Sequence, residues 1–256
     1  MGSIFAVLGL GEAGGRIAAD LVAAGAEVRG YDPVLGSEPA GVVRMPDPEA
    51  AVAGCDIVLS VNSAAVARAV AEAARPALRP GSVFADLNTG SPASKRELAS
   101  LLADDAVFAD VALLGPVPAR GLHTPALASG SGAQPFAAAL TPLGMPVEVV
   151  SAVAGDAAAR KLIRSVFMKG LAASAIESLD AAAAAGQAAW VEAEIAEVIG
   201  AELLQRLVTG SRAHAVRRVD EMQAASELLV ELGVDPQIAR ASAAVLARLA
   251  AEAPIE

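Results

Sequence analysis

The chain has 256 residues, of which 55% are hydrophobic, and a formal charge of −10. That length suits one large domain or two modest ones with real cores. The acidity argues against a nucleic-acid partner, and 3% aromatic residues leave little for base stacking. Cys55 is the single cysteine, so no intramolecular disulfide can form, which suits a reducing cytoplasm. No basic region followed by an apolar core and cleavage site opens the chain, so no signal peptide is expected. No apolar run reaches the roughly 18–20 residues of a membrane span, so no membrane partner is expected either.

In chain order, short apolar runs at 4–8, 27–31, 57–61, 83–87 and 107–111 read as strands, with a weaker one at 147–150. Helical spacing lies between them at 14–24, 64–74 and 94–102, the last after an "SP" start. Strands separated by such helices predict a parallel, doubly wound Rossmann-type α/β sheet. From about residue 155 strand signals stop, and some 30 residues run without proline as one long interdomain helix. Leu162, Ile163, Val166, Phe167, Leu171 and Ile176 cover most of its circumference, which predicts burial between bodies. Helices at 190–207, 211–232 and 235–251 follow, giving an all-α C-terminal domain. The predicted division is 1–153 for the cofactor domain and 154–256 for the helical substrate and dimerisation domain.

Directly after the first strand stands "GLGEAG", comprising Gly9, Leu10, Gly11, Glu12, Ala13 and Gly14. In a dinucleotide site Gly9 makes the tight turn, Gly11 admits the pyrophosphate and Gly14 permits close helix–strand packing. Asp32 closes the second strand, where a carboxylate holds ribose hydroxyls, and no arginine follows closely to receive a 2′-phosphate. This favours NAD over NADP; the competing reading is a helix-packing glycine set and a turn aspartate before Pro33. Asn62 and Ser63 lie past the 57–61 strand, on the expected course of the cofactor. Asn88 and Thr89 lie past the next strand, in position to touch cofactor and substrate, although Asn, Thr and Ser also serve ordinary turns. Gly115 can offer a backbone N–H to a substrate carboxylate, which Pro116 and Pro118 cannot.

His123 reads as an exposed loop residue. His214, Arg218 and Glu221 share a helix face that can bind a substrate carboxylate, or can simply be a solvated helix start. No Cys/His cluster suggests a metal, and no GxSxG elbow supports a nucleophilic serine. Only Lys95, Lys161 and Lys169 of the 19 basic residues are lysines. A chain that otherwise uses arginine for surface charge keeps a buried-looking lysine for a reason.

"DLNTGSP" (86–92), "DVALLGPVP" (110–118), "GDAAARKLIRS" (155–165) and "HAVRRVDEM" (214–222) complete a pattern. In order and spacing they resemble the β-hydroxyacid dehydrogenases, the group of 3-hydroxyisobutyrate and 6-phosphogluconate dehydrogenases. The match is nearest to the bacterial 6-phosphogluconate-dehydrogenase-like NAD-binding proteins. The resemblance implies hydride transfer between nicotinamide and a small hydroxy acid or its carbonyl, in a homodimer. It places the catalytic acid/base at Lys161, six residues past Gly155, with Ser165 where the family has asparagine. Leu114, Gly115 and Pro116 stand where the family has a substrate-holding Ser-Gly-Gly. A lysine serves such chemistry once desolvation and nearby positive charge bring its pKa from ~10.4 toward ~7–8. Ser165, one turn on, is placed to bond substrate or lysine; Lys169 can touch substrate or pair with a neighbouring subunit's carboxylate. Imine reductases share the architecture but usually carry Asp or Tyr at the lysine position. A cofactor-binding regulatory protein without catalysis is the rival from another class.

Overall fold

The structure is a computed structural model that describes residues 3–34 and 39–252. The chain divides into two compact units, Met1–Ala159 and Arg160–Glu256.

The first unit opens with β1 (Ile4–Leu8), α1 (Glu12–Ala23), β2 (Glu27–Tyr31), β3 (Val43–Arg44) and α2 (Pro48–Val52). It continues through β4 (Ile57–Ser60), α3 (Ala64–Ala74), β5 (Val83–Asp86), α4 (Pro92–Leu101) and β6 (Val107–Leu113). The last members are α5 (Val117–Arg120), β7 (Ala126–Ser129), α6 (Ala133–Leu140) and β8 (Val147–Ser151). The eight strands form one sheet in the order β3-β2-β1-β4-β5-β6-β7-β8. Alternate residues of β1 face opposite layers: Phe5 and Val7 pack with α1 residues Ile17 and Leu21, Ala6 and Leu8 with Val52 of α2 and Ala71 of α3. Helices therefore cover both faces, as a doubly wound sheet requires. Helix starts are chemically marked. Asp47 Oδ1 accepts from Ala50 N–H at 2.7 Å ahead of α2, and Ser91 Oγ from Ser94 N–H at 3.1 Å ahead of α4.

One joint is not parallel. β7 pairs antiparallel with β6, and β8 then runs parallel to β7. The link from β6 to β7 holds only the four-residue α5 and a single 3₁₀ turn, so the chain turns back instead of crossing over.

α7 (Asp156–Ala184) starts in the first unit and continues into the second. The second unit adds α8 (Ala188–Ile199), α9 (Ala201–Ala213), α10 (Ala215–Glu231) and α11 (Gln237–Glu252). The segment read as one helix at 190–207 is two, because Gly200 takes a left-handed φ of +85°. The one read at 211–232 is likewise interrupted, at His214. α7 is not buried all round in the single chain. Leu162 and Ile176 are sealed, but Ile163 and Phe167 are 50% and 69% exposed.

Candidate functional site

The glycine loop has the shape of a phosphate cradle. A Cβ on Gly9 would lie 2.2 Å from the Val61 carbonyl oxygen, and one on Gly14 only 1.9 Å from the Gly9 carbonyl oxygen. Packing explains both. Gly11 is different: a Cβ there would meet nothing within 4 Å, so open space above its backbone, not packing, accounts for the absent side chain. Gly11 is also the N-cap of α1, and no side chain caps that helix start. Asp32 reaches the loop from β2, its Oδ2 accepting from Leu10 N–H at 2.8 Å and its Oδ1 from Val34 N–H at 2.9 Å. A helix N-terminus without a side-chain cap, with open space where a Gly11 side chain would stand and an oriented carboxylate at the next strand, fits a dinucleotide.

Asn62 and Asn88 are joined. Asn62 N–H donates to Asn88 Oδ1 at 2.6 Å, and Asn88 Nδ2 to Asn62 Oδ1 at 3.0 Å. Asn62 Nδ2 also reaches the Leu8 carbonyl oxygen at 3.3 Å, tying the pair to the strand that enters the glycine loop. Asn88 is 5% exposed and its amide bonds Asp86 Oδ1 as well, so much of its hydrogen-bonding capacity is spent inside the protein. Ser63, at the start of α3, is exposed, and Thr89 is half-buried. Gly115, past β6, is half-buried too, and a Cβ there would make only ordinary contacts, 3.7 Å or more from Thr124 and Arg120.

Beneath this edge lies a charge cluster that the sequence reading did not assemble. Asp86 of β5 and Asp110 of β6 are register partners, and both are buried. Lys95, from the helix between those strands, donates to Asp86 Oδ2 at 2.8 Å and lies 3.4 Å from Asp110 Oδ1. Burial works against the ammonium charge, but the two carboxylates outweigh it and hold the Lys95 pKa above the ordinary lysine value. One signal was available. Pro92, Lys95 and Leu98 are the buried residues of α4 at helical spacing, so Lys95 occupies an apolar-face position.

Asp110 also explains Gly155. Its Oδ2 accepts from Gly155 N–H at 3.1 Å and Ala158 N–H at 3.0 Å, capping α7 from a neighbouring strand. Gly155 has φ +100°, and a Cβ there would press to 2.8 Å from the Pro92 carbonyl oxygen. Both features restrict the position to glycine.

In the second unit Lys161, Ser165 and Lys169 follow one another at i, i+4 steps along α7. Glu221 of α10 meets this stripe: Ser165 Oγ donates to its Oε1 at 2.5 Å and Lys169 Nζ at 2.9 Å. Lys169 thus pairs with a carboxylate of its own chain. Burial, only partly offset by Glu221, lowers the Lys169 pKa. Burial tends to raise the Glu221 pKa, but the charges of Lys169 and Lys161 and the Ser165 hydrogen bond outweigh it and hold it below the ordinary value. Lys161 is half-buried and acts on Glu221 through its charge. Arg218 Nη1 donates to Ser211 Oγ at 2.6 Å, and Gly210 leaves the room its guanidinium fills. His214 stands between α9 and α10, half-buried. His123 is exposed and its Nδ1 lies 3.0 Å from the Gly144 carbonyl oxygen.

Among the described residues no group of three or more His, Cys, Asp or Glu is placed to hold a metal ion. No helix among them is long and apolar enough to cross a membrane.

Residues 4–117 match the family model for the NAD-binding domain of 6-phosphogluconate dehydrogenase, and residues 182–249 match a domain of unknown function, DUF1932. A conserved hypothetical protein from Sinorhizobium meliloti 1021, of solved structure, is 31% identical; the match covers 96% of this chain and 88% of that one at a TM-score of 0.74. A Mycobacterium tuberculosis 3-hydroxyisobutyrate dehydrogenase, solved with L-serine, shares the fold at a TM-score of 0.80 and 22% identity, over 98% of this chain and 95% of that one. Among curated proteins, an uncharacterised 28.5 kDa protein of Methanothermus fervidus is 26% identical over 157 residues. That match spans 60% of this chain and 61% of the relative's length.

Proposed function

We propose that the chain, whose residues 4–117 match the NAD-binding domain of 6-phosphogluconate dehydrogenase, is an NAD-dependent oxidoreductase of the β-hydroxyacid dehydrogenase type, close to the 6-phosphogluconate-dehydrogenase-like NAD-binding proteins. Its substrate would be a small hydroxy acid or the corresponding carbonyl, with Lys161 as general acid/base. Residues 1–153 would form the cofactor domain and 154–256 the helical substrate and dimerisation domain. The observation that carries the reading is the start of α7. Gly155 is restricted to glycine by its φ and by Pro92, its N–H is fixed by Asp110, and Lys161 follows less than two turns later.

The loop from Gly9 to Gly14, with Asp32, Asn62 and Ser63, would hold the dinucleotide. Bound NAD supplies a hydride acceptor, and its reduced form a hydride donor. Asp32 favours NAD over NADP because a carboxylate set against the glycine loop repels a 2′-phosphate. In the oxidation direction Lys161, neutral, accepts the hydroxyl proton of the substrate at Nζ; in reduction the ammonium returns it. Ser165 directs its hydrogen to Glu221, so its part is to fix that carboxylate beside the lysine stripe. In the second unit Arg218 and His214 are the candidates for the substrate carboxylate; in the first unit Gly115 N–H and the Asn88–Thr89 turn are candidates for substrate contact.

A second copy of the chain is the proposed partner. α8 buries none of its residues in the single chain, although Trp190 and Val198 are 63% and 83% exposed, and α7 exposes Ile163 and Phe167. So much apolar surface suits a subunit interface. A monomer by light scattering at micromolar concentration would contradict this.

The test of function is a screen of small 2- and 3-hydroxy acids, sugar-derived acids and imines with NAD(H) and NADP(H), followed at the nicotinamide absorbance. Hydroxy-acid turnover with NAD, reduced about 10²–10⁴-fold in Lys161→Ala, is the expected result. Near-normal turnover in Lys161→Ala would overturn the assignment. Turnover confined to imines, or dinucleotide binding without turnover, would favour a reductase or a regulatory protein instead.

A further inference from the structure

The chemistry above employs Lys161 and leaves the chain's most deeply buried lysine, Lys95 at 1% exposure, without a part. We propose that Lys95 is a positioning residue: through Asp110 it fixes the first turn of α7 and thereby sets where that helix holds Lys161. The inference rests on the reading of Lys161 given above.

The β5–α4–β6 unit creates the problem and its solution together. In-register pairing sets Asp86 beside Asp110 on adjacent strands, where two buried carboxylates repel. The crossover helix between them delivers Lys95 to both. Two carboxylates and one ammonium still leave one negative charge. That charge is met by α7, a helix of 29 residues whose N-terminus carries the positive end of its dipole. Asp110 divides its oxygens accordingly. Oδ1 faces Lys95, while Oδ2 takes Gly155 N–H, Ala158 N–H and the Ser129 hydroxyl, the last at 3.0 Å. Ser129 Oγ in turn accepts from Ala157 N–H at 3.0 Å, so three donors of the helix start, on Gly155, Ala157 and Ala158, converge on this pair.

Oδ1 takes no hydrogen bond, but it forms a buried ion pair with the Lys95 ammonium at 3.4 Å, and turning the carboxylate about its Cβ–Cγ bond would break that pair. Its other oxygen is thereby aimed at the helix. Without the ammonium, rotation releases the cap. The same helix α4 touches the start of α7 a second time, since its first residue, Pro92, lies against Gly155. On the far side, Asp86 is bonded to Asn88, which is bonded to Asn62. A continuous run of polar contacts therefore joins the glycine-loop edge of the sheet to the helix that carries Lys161, one turn past Ala158.

Amide exchange read by NMR on the substrate-free chain, beside kcat and KM on whichever hydroxy acid the screen turns over, tests this. Two variants are needed: Lys95→Met, and Asp86→Asn with Lys95→Met, which keeps the cluster's net charge. In both, exchange at Gly155 and Ala158 should quicken about tenfold or more as the cap opens. In both, kcat should fall about tenfold or more with KM for NAD little changed, as expected for a misplaced acid/base. If the double variant regains wild-type exchange and kcat, Lys95 only balances charge and the inference is overturned. It is overturned equally if neither variant folds, since the cluster would then be a requirement for folding. Because exchange needs no substrate, a wild-type chain inactive in the screen would sink the reading of Lys161 and leave the cap result standing. An active wild type whose variants keep slow exchange would sink the cap alone.

Discussion

Lys95 in the first unit and Lys169 in the second are both packed against buried carboxylates, yet their proton affinities move in opposite directions. Burial opposes the charge of each. At Lys95 two carboxylates overcome it, and the ammonium is held more firmly than in water. At Lys169 the one carboxylate, Glu221, does not, and the charges of Arg218 and Arg164 add to the cost. The number of carboxylates within reach decides the sign. With two carboxylates the charged form of lysine is favoured more than in its ordinary state, whereas with a single shared carboxylate burial prevails and the pKa is lowered. Lys161 lies on the same helical stripe as Lys169, and its charge acts on the same Glu221.

The comparison can be broken at Asp110. Asp110→Ala takes one carboxylate from Lys95 and the cap from α7, and should cost about 3–5 kcal/mol of unfolding free energy by denaturant titration. Lys95 would then stand where Lys169 stands now, and its proton affinity, followed by NMR of the ammonium, should drop below the ordinary lysine value.

Glu221→Gln tests the other side, with a smaller effect of about 2 kcal/mol. The folded-state pKa of Glu221 lies below its unfolded value, so its contribution is full above the ordinary glutamate range, near ~4.3, and is lost as pH falls through the folded value. Wild-type stability should therefore drop more steeply below about pH 4.3 than that of Glu221→Gln. Parallel acid profiles would show that the Lys169–Glu221 pair contributes nothing.

Within the glycine loop Gly11→Ala offers the smallest effect on folding, with Gly14→Ala as its internal control. Gly14→Ala forces a Cβ against the Gly9 carbonyl and should destabilise the first unit. Gly11→Ala meets open space and should shift stability by no more than about 0.5 kcal/mol, while weakening dinucleotide binding by calorimetry. Unchanged binding in Gly11→Ala would mean that the open space is not the cofactor's.

Much of the frame was legible because periodicity is local. The runs at 4–8 and 27–31 and the helix at 64–74 appear with the same limits in the structure. β3 was missed because two residues carry no period, and β7 because "ALAS" in a Gly- and Pro-rich stretch has too little bulk to read as a strand. Of the polar groups, the glycine loop and Asp32 were legible through spacing within one strand–turn–helix unit. The Lys95 cluster was not, since only strand register brings Asp86 and Asp110 side by side. Glu221 was read on a face with His214 and Arg218, but its partner Lys169 lies 52 residues earlier, and no local pattern joins α7 to α10.

The claim at the centre, that Lys161 exchanges the substrate proton, is tested most directly by the pH dependence of kcat in wild type and Lys161→Arg. Arginine keeps the positive charge but does not titrate in this range. In the oxidation direction wild-type kcat should rise with pH and level off as Lys161 becomes neutral. Lys161→Arg should retain dinucleotide binding, lose most of its turnover and show no such limb. A Lys161→Arg enzyme with the wild-type rate and the wild-type limb would contradict the account.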